Sequence, residues 1–256
     1  PFGWNVRNSD MRAGLLAKIK TLPNVKFETG LSTLSTTTRS SVASVSLSNG
    51  HIVECSLLIA ADGRDSPIRA QAGIAVKHTD FDQIALSFSV THEVPHNNIS
   101  TEVHKTGGPF TLVPLPDFEG KPCSAIVWMD NTENMDKLKS LPNTVFDNLI
   151  TERSGRVLGK LTSINNCTKW PIVSQITDNF YAERTAFIAE SAHVVPPIGA
   201  QGLNLSIGDI EALLQLTTSS ANDIGSLKVL KKYHQIRRPI AQSRVIGVGL
   251  LNLSLI

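Results

Sequence analysis

The chain has 256 residues, 41% of them hydrophobic and 18% charged, with a formal net charge of +2 at neutral pH. That length can bury a substantial core in one large domain or two smaller ones, and the composition excludes both a disordered tail and a membrane bundle. Lys and Arg are scattered rather than striped, which leaves no electrostatic case for a nucleic-acid partner.

In chain order, Met11, Leu15, Leu16, Ile19 and Leu22 recur at helical spacing after Asn8 and Ser9, with Pro23 beyond them, and predict a surface helix. Short β segments follow at Val25 to Phe27, 31–37 and 42–47, and Ser48-Asn49-Gly50-His51 is a hairpin turn into a strand at Ile52 to Cys55. Leu57 to Ala61 is apolar on both faces and predicts a buried strand running into Asp62-Gly63-Arg64-Asp65-Ser66 and a short helix to Ala72. Between about Val76 and Ile176 the stretches IALSFSVTHE, FTLVPLP and SAIVWMD predict an antiparallel sheet, with helices near 131–138 and 144–153. The apolar strand Ala186 to Ala189 then delivers the chain into Glu190-Ser-Ala-His-Val-Val-Pro-Pro-Ile-Gly-Ala-Gln-Gly-Leu-Asn-Leu-Ser-Ile-Gly-Asp209, and 203–216 and 227–256 read as helices.

Cys55, Cys123 and Cys167 are odd in number and far apart, with no C-x-x-C pair to hold a metal, and read as reduced, buried thiols of a cytoplasmic protein. The longest apolar run, Val245 to Ile256, falls short of the ~18 residues a spanning helix needs. The chain begins without Met and stops inside an apolar helical pattern, so it is expected to be part of a longer protein.

Glycines at 199 and 202, between an apolar strand and a helix, would let backbone N–H groups approach a ligand, and the helix start adds partial positive charge. An ordinary strand-to-helix turn fits the same spacing. AESAHVVPPIGAQGLNLSIGDIEAL resembles the second flavin motif of the FAD-dependent aromatic hydroxylases related to p-hydroxybenzoate hydroxylase, and LLIAADGRDSPIRAQAGI resembles their D-G-x-x-S-x-x-R motif at the right distance upstream. The head FGWNVRNSDMRAGLLAKI and the tail YHQIRRPIAQSRVIGVGLLNLSLI further resemble the polyprenylphenol hydroxylases of ubiquinone biosynthesis.

The resemblance implies an α/β (α+β) fold in which residues 1–75 and 177–256 form a partial, discontinuous FAD-binding domain and 76–176 an inserted antiparallel-sheet domain roofing the substrate. It places Glu190 where an aspartate meets the ribitol of FAD, with Ala189 in place of the family's glycine. It lays Pro197, Gly199, Gln201, Gly202, Leu203 and Asn204 along the isoalloxazine, with the N–H groups of 202–204 aimed at its pyrimidine edge. Asp62, supported by Arg69, falls in the motif linked to the pyrophosphate side and to reduction by the nicotinamide cofactor; a plain turn ahead of a cap at Asp65 or Ser66 is the other reading. Asn8 and Arg12 lie on a helix resembling one that flanks the cofactor, although a solvated arginine fits equally well. His193 reads as a packing and hydrogen-bonding residue rather than an acid or base, and no side chain is expected to act as a nucleophile.

The family's opening G-x-G-x-x-G is missing, and Gly247-x-Gly249 is a decoy within a helix. The chain is therefore expected to lack an N-terminal dinucleotide unit, not to hold FAD on its own, and to expose apolar surface beside the Leu57 to Ala61 strand that favours self-association. The implied reaction uses NAD(P)H and dioxygen to hydroxylate a phenolic or prenylated ring, in a homo-oligomer or at the inner membrane with a quinone-synthesis complex. Another flavin oxidoreductase of this fold, acting on a soluble aromatic acid or a prenyl chain, and a non-catalytic scaffold are the alternatives; bound FAD and substrate-stimulated NAD(P)H oxidation separate them.

Overall fold

A computed structural model describes residues 3–138, 141–220 and 223–255. Helix α1 spans Asn8–Ile19, and none of its residues is buried. Strands β1 (Thr33–Thr38), β2 (Ala43–Leu47) and β3 (Ile52–Cys55) form an antiparallel meander whose second turn is closed by Gly50 at φ +84°. β4 (Leu58–Ala60) runs into α2 (Pro67–Gln71). The Gln71 side chain donates to the Leu34 carbonyl at 3.2 Å and accepts from Thr36 N–H at 2.9 Å, fastening α2 to β1.

A second layer begins with the 17-residue strand β5 (Val76–His92), followed by β6 (Thr101–Lys105), β7 (Gly108–Phe118) and β8 (Lys121–Asn131). Helices α3 (Thr132–Leu138) and α4 (Asn143–Arg153) and strands β9 (Leu161–Ser163) and β10 (Thr168–Thr177) complete it. The chain returns through β11 (Tyr181–Ala182), β12 (Thr185–Phe187), a 3-10 turn at Ala189–Ser191, β13 (His193–Val194) and a second 3-10 turn at Ile198–Ala200. It closes with α5 (Gln201–Thr218) and α6 (Leu227–Leu253).

The seven-stranded antiparallel sheet has the order β13-β10-β5-β8-β7-β6, with β9 also on β5. β13 thus joins a sheet otherwise built from Val76–Thr177. Strand alternation divides its faces. Leu86, Phe88, Ile126 and Trp128 are buried with Met135 of α3 and Phe146 and Ile150 of α4. Ser87, Ser89, Ala125 and Val127 face the other way and are half-buried. At one end of that second face Phe81, Ala85 and Met129 pack under Ile198 and Val248. A smaller sheet, β11-β12-β4, contains the parallel pair β4–β12, and Ala60, Phe187, Leu213, Leu230 and Tyr233 join it to α5 and α6.

Four expectations change. Val25 to Phe27 is not a strand; it has no ladder partner, and Phe27 is half exposed. β4 is not buried on both faces: it lies at the edge of its sheet, and Ile59 is 48% exposed. The cysteines are free but not uniformly buried: Cys123 is buried, Cys55 half-buried and Cys167 exposed. The helical reading of 227–256 holds to Leu253, and Ile256 lies outside the described residues. Among the described residues no helix is long and apolar enough to cross a membrane. Apolar surface is open beside β4 at Ile59 and along α5 at Leu203, Ile207, Ile210 and Leu214, which share one helical face.

Candidate functional site

The two sequence motifs meet at the turn after β12. In the first, the Ser66 side chain caps α2 by accepting from Arg69 N–H at 3.0 Å. Asp62 accepts from the Ser66 hydroxyl at 2.6 Å and from Ile68 N–H at 3.1 Å, so both of its oxygens serve this cap. Arg69, buried, donates to the Ser191 carbonyl at 2.8 Å and to the Arg64 carbonyl at 2.8 Å. Ser191 Oγ donates to the Ala60 carbonyl at 2.7 Å. The end of β4, the start of α2 and the turn carrying Glu190 are thereby one unit.

Ala189 adopts φ +54°, a left-handed conformation that suits glycine better than alanine. Its N–H donates to Asp209 Oδ2 at 3.0 Å. The same carboxylate accepts from His193 Nε2–H at 2.7 Å and from Arg237 Nε–H at 2.8 Å, and Arg237 also donates to the Leu205 carbonyl at 2.9 Å. Asp209 is 0%, His193 2% and Arg237 7% exposed. A Cβ on Gly208 would lie 2.8 Å from Arg237 Nη2, so the glycine makes room for the guanidinium. Nearby, burial pushes the Tyr233 phenol well up, and its hydroxyl donates to the Phe187 carbonyl at 2.9 Å.

Burial works to raise the Asp209 carboxyl, but the hydrogen bond and charge of His193, the hydrogen bond from Arg237 and the Ala189 N–H outweigh it and hold the group below its ordinary 3.8. Stability from a depressed carboxyl is fully present above the unfolded-state value and is lost as pH falls through the folded-state one. The thermal midpoint is therefore expected to drop as pH falls below about 3.8. Asp209→Asn should flatten that part of the curve when scanned between roughly pH 5 and pH 2.

Past His193 the chain crosses Pro196-Pro197 and then two left-handed residues, Gly199 (φ +67°) and Ala200 (φ +49°), before α5 begins. Ala200 at the N-cap supplies no side-chain acceptor, and the first turn of α5 has no acidic residue. An uncapped start of an 18-residue helix leaves its N–H groups and its partial positive charge for a ligand. Gly202 stands in this first turn with right-handed backbone, and a Cβ there would meet nothing within 4 Å. The left-handed positions are thus 199 and 200, not 202.

A cavity of about 360 Å3 lies between this loop and the large sheet. Arg64 and Glu190 form its polar rim, Ala85, Val127, Trp170 and the Val195 to Pro197 stretch its apolar wall, and Ser87 adds one hydroxyl. The Glu190 side chain is 56% exposed, with its carboxylate 3.9 Å from Arg64 Nε. Gly199, Gln201 and Asn204 instead line a cavity of about 400 Å3 between α5 and α6 with Arg237 and Arg244. Leu203 is exposed on the outer face of α5. Asn8 lines a third cavity, of about 440 Å3, with Ser89, Val113, Leu115 and Ala125; Arg12 is an exposed residue of α1. The structure gathers Glu190 and Pro197 on one cavity, stations Gly199, Gln201 and Asn204 on the next, and leaves Asn8 and Arg12 apart.

Asp209 and Arg237 are missing from the sequence-based candidates. The signal available was an acid beside a glycine inside the apolar helix pattern of 203–216, following a lone histidine.

A family model described as FAD binding domain matches residues 17–246. The Rhodospirillum rubrum protein named ubiquinone hydroxylase UbiL is 26% identical over 242 residues, covering 93% of this chain and 56% of the relative. The Escherichia coli protein named 3-demethoxyubiquinol 3-hydroxylase is 25% identical, covering 92% and 60%. The chain spans about half the length of such relatives. Among solved structures, Pseudomonas aeruginosa PqsL in complex with 2-aminobenzoylacetate superposes with a TM-score of 0.82 at 21% identity, covering 96% of this chain and 68% of that one. The p-nitrophenol 4-monooxygenase PnpA of Pseudomonas putida gives 0.76 at 15%, covering 97% and 63%. The mixed fold, the open turn ahead of α5 and a match spanning most of the sequence lead to one assignment: the chain belongs to the FAD binding domain family.

Proposed function

We propose that this chain is the flavin-facing and substrate-roofing part of an FAD-dependent monooxygenase that hydroxylates a phenolic ring, a prenylated precursor of ubiquinone, with NAD(P)H and dioxygen as co-substrates. The observation that carries the reading is the left-handed Gly199–Ala200 turn opening an uncapped helix beside an apolar cavity. FAD, when bound, supplies the redox chemistry that couples the nicotinamide and dioxygen to oxygen transfer. This chain's residues bind and shield. The N–H groups of Gly202 and Leu203, which have no partner within α5, would hold the electron-rich edge of the flavin, where negative charge is stabilised by amides already in place; that of Asn204 makes the first intrahelical bond, to the Ala200 carbonyl. Glu190 offers an acceptor to the ribitol hydroxyls from the cavity rim, while Ala85, Val127, Trp170 and Pro197 exclude water.

The fit extends to the substrate. Ser87 and Ser89 on β5, Ala125 and Val127 on β8, and Val113 and Leu115 on β7 share one sheet face. The cavity at Pro197 and the cavity at Asn8 lie along that face, one strand repeat apart between Ser87 and Ser89. Small and apolar residues along it suit a ring at the first cavity with an apolar tail toward the second. In this reading 76–176 is the substrate-binding domain, and 1–75 with 177–256 belongs to the FAD-binding domain.

In the full-length protein, FAD should co-purify in one-to-one ratio and a prenylated phenol should stimulate NAD(P)H oxidation with formation of the ring-hydroxylated product. Glu190→Ala should weaken FAD binding roughly 10- to 100-fold, the value of one charge-assisted hydrogen bond, with the fold retained. Bound FAD without oxidation stimulated by any phenol would favour a scaffold; unchanged FAD affinity would disconnect Glu190 from the cofactor.

A further inference from the structure

The geometry points to Asp209 as a positioning residue that holds the strained turn at Ala189 and so aims Glu190 into the flavin-side cavity. The inference rests on the reading of Glu190 as a cofactor contact.

Asp209 lies in the third turn of α5, yet its Oδ2 reaches back 20 residues to Ala189 N–H at 3.0 Å and to His193 at 2.7 Å. It therefore clamps the beginning of the segment from 189 to 204 to the helix at its end. Arg237 fixes the clamp from outside: it takes Oδ1 at 2.8 Å and the Leu205 carbonyl at 2.9 Å, with Gly208 leaving space for it. All three side chains are buried, so the carboxylate cannot exchange these partners for water.

The clamp acts where the backbone most needs it. Alanine at φ +54° is disfavoured, and the next residue is Glu190 on the cavity rim. A hydrogen bond from Ala189 N–H to a buried carboxylate is of the stronger, charge-assisted kind and offsets that strain. A glycine at 189 would reach the same conformation unaided. With alanine at this position, the chain relies on Asp209 to hold it.

The test is a double-mutant cycle in the full-length protein, read by FAD titration and by the thermal midpoint of the FAD-free form. Asp209→Asn should raise the FAD dissociation constant ~10-fold or more. Adding Ala189→Gly should restore most of that affinity, although glycine replaces no packing lost at Asp209; Ala189→Gly alone should leave FAD affinity within about twofold. Equal losses in Asp209→Asn with and without Ala189→Gly, an unchanged affinity in Asp209→Asn, or rescue of the thermal midpoint without rescue of affinity would each overturn the proposal. If Asp209→Asn does not fold, recovery of folded, FAD-binding protein in the double variant supports it, and failure of both assigns Asp209 to the core alone. Glu190→Ala runs beside the cycle: if it leaves FAD affinity unchanged, the reading of Glu190 fails whatever the coupling between 189 and 209.

Discussion

Gly202→Val in the full-length protein is expected to abolish measurable FAD retention and turnover while the fold survives. The two effects separate because Gly202 sits in the first turn of α5 with right-handed backbone and open space where a Cβ would be. Valine is a better helix residue than glycine by a few tenths of a kcal/mol, so the thermal midpoint should hold or rise. The open space is, in this account, where the flavin edge approaches the N–H groups of Gly202 and Leu203. Two methyl groups there would break at least two hydrogen bonds to a group carrying negative charge, each worth about 1.5–3 kcal/mol, for a loss of 100-fold or more. Thermal unfolding and flavin-fluorescence titration of the same preparation provide the check. Wild-type affinity in a folded variant would move the cofactor away from this turn.

Arg237→Ala should produce the largest loss of stability. Removing one partner of a buried ion pair strands the other, and Asp209 would keep its charge at 0% exposure with only His193 and one backbone N–H beside it. Such losses run to about 3–5 kcal/mol, and the Leu205 carbonyl also loses the guanidinium as donor. For a chain of this size each kcal/mol moves the thermal midpoint by roughly 2–4 °C, so a drop on the order of 10 °C is expected in a thermal scan. A shift under about 2 °C would show that water reaches the site and the knot is not sealed.

How much of this was legible in the sequence depends on how local each feature is. The strand, the Pro-Pro turn and the glycine-flanked helix start are contiguous in residues 186–204, and the pattern alone located them. The sheet strands could be read because period-2 alternation is strong in IALSFSV and SAIVWMD. β4 misled because an apolar run looks the same in a central strand and at an edge; burial depends on neighbours the run does not contain. Val25 to Phe27 has β-forming residues but no partner strand, which overrides propensity. Spacing puts glycines at 199 and 202 on equal terms, whereas the left-handed backbone falls on Gly199 and Ala200, an assignment that requires dihedral angles. The Asp209–Arg237 pair spans 28 residues and two helices, beyond the reach of spacing arguments. That Gln201 and Asn204 line the cavity between α5 and α6 follows from how the two helices pack, which spacing does not decide.

The most direct measurement is amide hydrogen exchange of the full-length protein with and without FAD, resolved across residues 197–204. The account predicts that FAD slows exchange at Gly202 and Leu203 by at least tenfold and has little effect on the β1 to β3 meander. Saturating FAD that leaves these two amides unprotected while protecting another segment would contradict it.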